Sequence, residues 1–294
     1  MRTLLKSCLV LALALLTVES VDAQKRYLGF TKKKQYWSFG AGLNTMHYWG
    51  DVAPNDSKFS TDFKKTKPNF SVFATKRLTP SVSVKAMYSV GAIGGDDANA
   101  NDIGRSLRRN LHFRNIINEV SMVGIVDLFK NQGVYFRRPK IPIPYIGTGI
   151  VFYHHNPQTE LVRGSGEWVN LQPMQTEGVE YSRFGIGIPL VVGVRYKLTN
   201  SIDISAEFNA RILFTDYLDD ISTEYAAIED MNPAQAPAGT SPQDFAYKGD
   251  AYENYNDSLV GQKRGDPNQN DFYAIFGVQL SYILPGSIKT PKFR

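Results

Sequence analysis

An antiparallel transmembrane β-barrel of eight strands is the fold that this sequence predicts, and three observations point to it. Residues 183–214 contain two long runs in which every second residue is apolar, other runs alternate in the same way, and the connections between runs alternate in length. Side chains of a strand point to opposite faces in turn, so each run has one apolar face. Bacterial outer-membrane barrels combine these features with an even number of strands.

The clearest pair of strands is the hairpin formed by residues 184–198 and 202–214. Both runs are apolar at every second position, and the polar loop 199–201 joins them. A three-residue loop sets a register in which Lys197 faces Asp203. Opposite charges at facing positions favour this pairing.

The two faces of this hairpin are reversed relative to a soluble sheet. A soluble sheet buries its apolar face, and a soluble sandwich is the alternative interpretation. Each run, however, exceeds the usual strand of about 5–6 residues and is long enough to cross lipid at a tilt, which takes about 9–11 residues. Phe184 and Phe214 lie near one margin of the apolar face and Tyr196 near the other, as in the aromatic girdles of membrane barrels.

The N-terminus has the features of a secretory signal peptide. Arg2 and Lys6 precede an apolar run, and small residues at 21–23 form a cleavage site, so residues 1–23 are predicted to be removed. The apolar run is too short for a membrane helix of about 20 residues. Cys8 is the only cysteine, so the mature chain has no cysteine metal site or disulfide. We expect Sec export to the outer membrane of a Gram-negative cell.

The rest of the chain divides into a short leader, one barrel and a short tail. The leader is 24–35, the barrel 36–284 with a long acidic loop at 215–270, and the tail 285–294. The predicted strands are 36–44, 68–77, 82–90, 116–128, 143–153, 184–198, 202–214 and 272–282. The connections run long, short, long, medium, long, short, long, which brings all the long ones to one end. Pro189 interrupts the sixth strand, where prolines mark bulges or edges, so we expect a bulge there.

Charged residues at the polar alternate positions of the strands are expected to point into the barrel and fill its interior. An eight-stranded barrel is just wide enough for its own side chains, and unpaired buried charge is costly. The sequence therefore predicts a paired network; a proton path or solute channel is the alternative. Its predicted members are Glu119, Arg195, Lys197, Asp203, Glu207 and Arg211.

Motifs for catalysis or cofactor binding are weak. His154 and His155 are adjacent on a strand and point to opposite faces, so they do not share a ligand. Residues 94–97 lack the oxygen-ligand spacing of a calcium loop, and no helix follows 147–149 to form a phosphate loop. We therefore predict no enzymatic activity, no metal or other cofactor, no small-molecule substrate and no nucleic-acid partner.

The predicted periplasmic end is basic, whereas the last outer loop is acidic. Simple solvation or contact with anionic lipid head groups is one interpretation. The other is a docking face for a periplasmic partner, in which Arg137 and Arg138 make direct contact because arginine binds carboxylates in a bidentate manner. The predicted contact residues are Lys32, Lys33, Lys34, Arg137, Arg138 and Lys140.

An ordered set of short motifs resembles a known family. The motifs are 48–51 (YWGD), 94–97 (GGDD), 109–114 (RNLHFR), 117–119 (INE), 144–147 (PYIG) and 155–157 (HNP). In this order they resemble the PorG-like outer-membrane barrels of the type IX secretion system, over most of the mature chain. The resemblance implies a small barrel, distinct from the secretion pore, that associates with a periplasmic ring of lipoprotein and partner subunits.

The chain departs from that family in its acidic last loop, its basic leader and its Arg/Pro-rich turn, which leaves open a paralogue with another partner. The function expected from the resemblance is that of a non-enzymatic component of a secretion machine. The alternatives are a structural or adhesive barrel of the OmpA type, which acts through its outer loops, and an outer-membrane enzyme that acts on lipid or peptide.

Overall fold

The computed structural model describes residues 30, 34–52, 66–100, 104–249, 255, 258–267 and 270–285. The predicted signal peptide with its cleavage site, and residues 286–294 of the predicted tail, lie outside these residues. Lys32 and Lys33 of the predicted docking face also lie outside them.

Ten strands form in the described part of the chain, and we number them in chain order. Their bounds are β1 Trp37–Trp49, β2 Lys67–Arg77, β3 Val82–Asp96, β4 His112–Asp127, β5 Ile143–His154, β6 Pro157–Glu160, β7 Trp168–Asn170, β8 Phe184–Lys197, β9 Ile202–Leu213 and β10 Phe272–Ile283. Eight of them are long, and all eight carry the alternating pattern. The short strands β6 and β7 form a hairpin attached to the outer part of β4.

The eight long strands close into an antiparallel barrel. Each pairs with its neighbour in the order β3, β2, β1, β10, β9, β8, β5 and β4, and pairing of β3 with β4 closes the ring. Closure satisfies the backbone hydrogen bonds that an open edge would leave unpaired in lipid. The predicted eight-stranded fold is confirmed, and so is the register of the hairpin, in which Lys197 faces Asp203.

The apolar face of every barrel strand points outwards. Leu43 is 69% exposed and Phe184 74%, while the residues of the other parity are buried in the lumen. At one margin of this belt the rings of Trp49 and Phe272 stack with centroids 4.8 Å apart. Tyr196 lies near the other margin. The belt and its aromatic margins are those of a transmembrane barrel.

The connections sort by length between the two ends of the barrel. One end, here called the short-turn end, carries 78–81, 128–142 and 198–201. The other, the long-loop end, carries 50–66, 97–111, 155–183 and 214–271. Loop residues of this second end fold into a cap with short helices at Asp97–Asn99, Gly104–Arg109, Gln172–Met174, Ile228–Asp230, Pro233–Gln235 and Gln243–Ala246. Among the described residues there is no helix with the length and hydrophobicity needed to span a membrane.

Three strands extend further into the long-loop end than predicted. β1 continues to Trp49, and β3 and β4 stay paired as far as Asp96 and His112. The extension of β3, residues 91–96, is rich in glycine, which is more typical of a loop than of a strand. Inward-facing apolar side chains, such as Met46 and Phe113, pack under the cap and keep the pairing intact.

The predicted bulge at Pro189 is wrong. β8 pairs with β9 straight through Pro189, which lies opposite Arg211. Pairing between β5 and β8 stops after Thr148 and resumes at Val151 in the same register. A bulge inserts an extra residue and shifts the register, whereas the proline only removes a donor from the ladder.

Candidate functional site

The middle of the lumen is filled by a buried arginine–glutamate pair. Arg211 on β9 donates from Nε to Glu119 Oε2 on β4 at 3.0 Å and from Nη2 to Oε1 at 2.5 Å. Tyr273 on β10 donates its hydroxyl to the same Oε2 at 2.6 Å. Arg211 is 0% exposed and Glu119 1%. Three strands that are not all neighbours are therefore joined across the barrel by one carboxylate.

A second group lies around Glu207. Lys85 on β3 donates to Glu207 Oε2 at 2.8 Å and to Gln279 Oε1 at 2.8 Å. Tyr145 on β5 donates to Glu207 Oε2 at 2.9 Å. Closer to the short-turn end, Asp127 accepts from both Arg195 and Arg77. Charge and hydrogen-bonding groups thus cross-link the interior, as an eight-stranded lumen filled by side chains requires.

Lys197 and Asp203 face each other across the hairpin but take different partners. Asp203 pairs with Arg138, which enters the barrel from the connection 128–142. Lys197 donates to the backbone carbonyls of Phe136 at 2.6 Å and Arg138 at 3.1 Å. This connection therefore folds under the short-turn end and closes it. Arg138, predicted to contact a partner, is 7% exposed and is held inside by this ion pair.

The exposed surface of the short-turn end is basic. Arg137, Lys140 and Lys130 are exposed, and Lys34 is half-buried. None of the segments 24–36, 78–81, 128–142, 198–201 and 284–294 contains an aspartate or glutamate. The acids nearest this end, Asp127 and Asp203, are buried in lumen ion pairs. Positive charge on this surface is consequently not offset by neighbouring carboxylates.

The cap at the opposite end is built around two buried arginines. Arg109 forms a two-point pair with Asp97, with both distances 2.8 Å, and donates to the carbonyl of Arg264 at 2.7 Å. Arg264 in turn donates to Glu177 at 2.8 Å. Leu171, Met174 and Phe245 add a small apolar core. Ala236 of the last loop packs against this core, and Met231 of the same loop is buried.

Tyr48, Asp219 and Asp271 join the cap to the barrel. The hydroxyl oxygen of Tyr48 lies 2.6 Å from Asp219 Oδ2 and 2.8 Å from Asp271 Oδ1. A tyrosine hydroxyl carries one hydrogen, so it donates to only one carboxylate. Tyr48 therefore holds two carboxyl groups close together with a single hydroxyl hydrogen between them. The aspartates also accept from the cap backbone, Asp271 from Leu218 and Asp219 from Ile221.

Burial favours the protonated form of these carboxyl groups. Burial, followed by the charge of Asp51, raises the pKa of Asp219 to about 8, whereas Arg109 acts in the opposite direction. Burial and then the charge of Asp219 raise the pKa of Asp271 well above its ordinary value. The same two causes raise the pKa of Asp216 to about 8. These three aspartates of the acidic last loop are buried, so they do not form part of a charged outer surface.

The histidine pair 154–155 separates as expected. His155 is buried, and its Nε2 lies 3.1 Å from the carbonyl of Ser182, to which it donates. The His154 ring lies 4.9 Å from that of Phe184. Within the described residues no group of three or more His, Cys, Asp or Glu side chains is arranged to hold a metal ion.

A family model described as a domain of unknown function, DUF6089, matches residues 9–233, which is more than half of the chain. The protein belongs to the DUF6089 family. The matched region of this DUF6089 protein includes β1–β9 and ends within the last loop. No curated protein matches the chain.

Solved structures with similar folds are small barrels of low sequence identity. Neisserial surface protein A is 9% identical with a TM-score of 0.40, over 84% of this chain and 96% of that one. Ail of Yersinia pestis is 8% identical with a TM-score of 0.40, over 85% and 99%. OprG of Pseudomonas aeruginosa is 7% identical with a TM-score of 0.39, over 86% and 98%. Similarity at this level gives no information about function.

Sequence reasoning missed several of the residues that complete the lumen and the cap of this DUF6089 protein. The signal for some of them was present, because Arg77 and Tyr273 lie on the polar parity of their strands. The signal for Arg138 was absent, since a connection of irregular structure has no parity that marks an inward side chain. The residues in question are Arg77, Arg138, Tyr145, Tyr273, Arg109, Glu177 and Arg264.

Proposed function

We propose that this protein is a non-enzymatic outer-membrane barrel that docks an acidic periplasmic partner through its short-turn end. The observation that carries the proposal is the exposed basic surface at that end, on which no acidic residue lies. Short turns face the periplasm in bacterial barrels. Charges at the rim of an interface raise the association rate and select partners of opposite charge.

The proposed contact residues are Arg137 and Lys140, with Lys34 and Lys130 beside them. Arg138 acts differently, because its pair with Asp203 anchors the connection 128–142 to the barrel wall. Anchoring reduces the conformational entropy that the connection would lose on binding. Pro139 and Pro142 limit its backbone further. Arg137 is thus presented on a held segment.

The finer proposal is that the partner belongs to the periplasmic ring of a type IX secretion machine. Its support is the ordered set of motifs that resembles the PorG-like barrels. In this role the barrel is an attachment point and not the secretion pore, which agrees with a lumen filled by paired charges. Secretion would then depend on the basic end and not on transport through the barrel.

The test is a charge reversal, Arg137→Glu with Lys140→Glu, in the full chain. We expect about tenfold weaker capture of the ring subunits after crosslinking in membranes, together with impaired secretion, because attraction at the rim becomes repulsion. Added salt should weaken the wild-type complex as well, since exposed charges are screened over about 8–10 Å.

Lys263→Glu, an exposed charge reversal on the cap, is the matched control and should leave capture unchanged. Both proteins must still show the heat-dependent gel mobility of a closed barrel. Undiminished capture and secretion by the folded double variant would refute docking at this end.

A second candidate function is adhesion through the outer loops. The observation that favours it is the cap, which has its own apolar core and a dense set of buried ion pairs. Replacing residues 228–242 by a short Gly-Ser linker tests it. Adhesion requires loss of surface attachment with secretion retained, whereas docking at the short-turn end alone requires both attachment and secretion to be retained.

A further inference from the structure

A continuous strip of outward-facing residues on β4 leads from the lipid belt to one arginine. Met122, Val120 and Ile116 are exposed apolar side chains on this strip, and Arg114 follows on the same face. Two residues along a strand cover roughly 7 Å. Arg114 therefore lies just beyond the apolar belt, at the level of the lipid head groups on the long-loop side.

The guanidinium of Arg114 is held in place by the β6–β7 hairpin. Arg114 lies opposite Gln158 in the β4–β6 pairing, and its Nε donates to Gln158 Oε1 at 2.9 Å. Its central carbon lies 4.1 Å from the ring centroid of Trp168 on β7, in a cation–π contact. These two contacts fix the plane of the guanidinium and the direction of its outer edge.

The two terminal nitrogens of Arg114 have no hydrogen-bond acceptor among the described residues. The nearby carboxylate of Glu160 is already occupied, because it accepts from the backbone N–H groups of Gly164 at 2.8 Å and Gly166 at 2.7 Å. A planar guanidinium with a free outer edge matches the geometry of a phosphate, which it binds through two parallel hydrogen bonds.

The surface below Arg114 suits a lipid. Tyr88 donates its hydroxyl to Asn118 Oδ1 at 3.1 Å on the lipid face, so the strip itself has one polar position between Ile116 and Val120. Phe152 on β5 is 51% exposed and lies beside Val120 in the pairing of the two strands. Trp168 is half-buried, and tryptophan is enriched where apolar and aqueous phases meet.

We propose that Arg114, stacked on Trp168, binds the phosphate of an outer-leaflet lipid whose acyl chains lie along the Ile116–Met122 strip of β4. The proposal rests on the outer-membrane location given above, but not on a role in secretion. An arginine at the membrane surface then has a hydrogen-bonded partner, and the β6–β7 hairpin becomes a clamp for an anionic lipid. The bound lipid would fix the cap relative to the membrane plane.

The experiment measures retention of defined lipids by the purified full chain, using native mass spectrometry. The probes are bis-phosphorylated lipid A, the same lipid after phosphatase treatment, and inorganic phosphate. We expect the wild type to retain the phosphorylated lipid about tenfold better than Arg114→Gln, the factor expected for loss of a charge-assisted hydrogen bond. Dephosphorylated lipid should bind both proteins equally.

Lys263→Gln removes an exposed cap charge away from the strip and is the matched control, with retention expected to equal that of the wild type. A protein with Trp168 as its only tryptophan, made by Trp37→Phe and Trp49→Phe, gives a second measurement. Its fluorescence should be quenched by lipids brominated near the head group. Equal retention of the phosphorylated lipid by Arg114→Gln or absence of this quenching would each overturn the assignment. Binding of millimolar inorganic phosphate as strong as that of the phosphorylated lipid would overturn it too.

Discussion

The arginine–glutamate pair in the middle of the lumen allows a quantitative test of how the barrel is held together. The change is Glu119→Leu, which removes the carboxylate that accepts from Arg211 and Tyr273. Breaking a buried pair by removing one partner leaves an uncompensated charge and costs about 3–5 kcal/mol. The hydroxyl of Tyr273 loses its acceptor as well, which adds about 1–3 kcal/mol for a buried donor.

The two costs share one carboxylate, so they do not add fully. We expect the free energy of unfolding to fall by about 4 kcal/mol. Adding Arg211→Met to the same chain should recover most of this loss, because apolar residues that replace a buried ion pair as a unit are often neutral or stabilising. A partial recovery is expected, since Tyr273 remains without its acceptor.

Urea unfolding in lipid vesicles, followed by gel mobility without boiling and by tryptophan fluorescence, gives these free energies by linear extrapolation. Ser121→Ala is the matched control on the same strand. Ser121 lies on the same inward face at the next position and is 1% exposed, and its hydroxyl oxygen has no hydrogen-bond partner among the described residues. Its removal should be neutral or slightly stabilising.

Two results would refute this reasoning. A cost below about 1 kcal/mol for Glu119→Leu would mean that water or another group stabilises Arg211. A double variant that is less stable than Glu119→Leu alone would mean that Arg211 supports the barrel through contacts other than this pair.

Three further predictions follow from the belt, the lumen and the cap. Val192 and Phe208 face each other on the lipid side, and replacing either one by arginine should lower the stability of the inserted barrel by about 2–4 kcal/mol and obstruct insertion. Normal assembly, judged by the faster gel mobility of the unboiled barrel, would contradict the face assignment. The purified protein should be electrically silent in planar bilayers, because paired side chains fill the lumen; stable, large conductance steps would contradict this. The free energy of opening the cap should fall as pH rises from about 4 to about 8, by on the order of 1 kcal/mol per pH unit. The reason is that burial raises the pKa of Asp219 from 3.8 to about 8, so the folded cap keeps a proton that the opened cap releases. Hydrogen exchange at the amides of Leu218 and Ile221, corrected for intrinsic rates, should report this loosening. Asp219→Asn should reduce the slope, to which Asp216 and Asp271 also contribute; an unchanged slope in that variant would assign the pH dependence to the other groups.

The fold of this protein could be derived from sequence because the decisive pattern is local. Alternation along 184–198 and 202–214 defines an apolar face with no knowledge of any other strand. The loop 199–201 sets the register of that hairpin, and the order of long and short connections sets the closure. Membrane strands need an unbroken lipid-facing row, so the pattern is repeated in every strand.

The ends of the strands could not be derived in this way. Beyond the belt, β3 continues through the glycine-rich residues 91–96, because Ile93 packs with Met46 of β1 and Phe113 of β4 beneath the cap. The bulge expected at Pro189 was a local inference of the same kind. It failed because β8 keeps its register with both β5 and β9 despite the loss of one backbone donor.

The identity of the charge partners was decided only by tertiary structure. Sequence showed which charges face the lumen and which positions oppose each other, and on that basis it paired Lys197 with Asp203. The strands of a closed barrel tilt and stagger, so an inward side chain meets residues from strands across the lumen and from segments that enter at its ends. Asp203 therefore pairs with Arg138, from a connection without periodicity, and Tyr48 brings together Asp219 and Asp271, which are far apart in the chain. Alternation fixes a direction for each side chain, but only closure of the barrel and folding of its connections fix what that side chain meets.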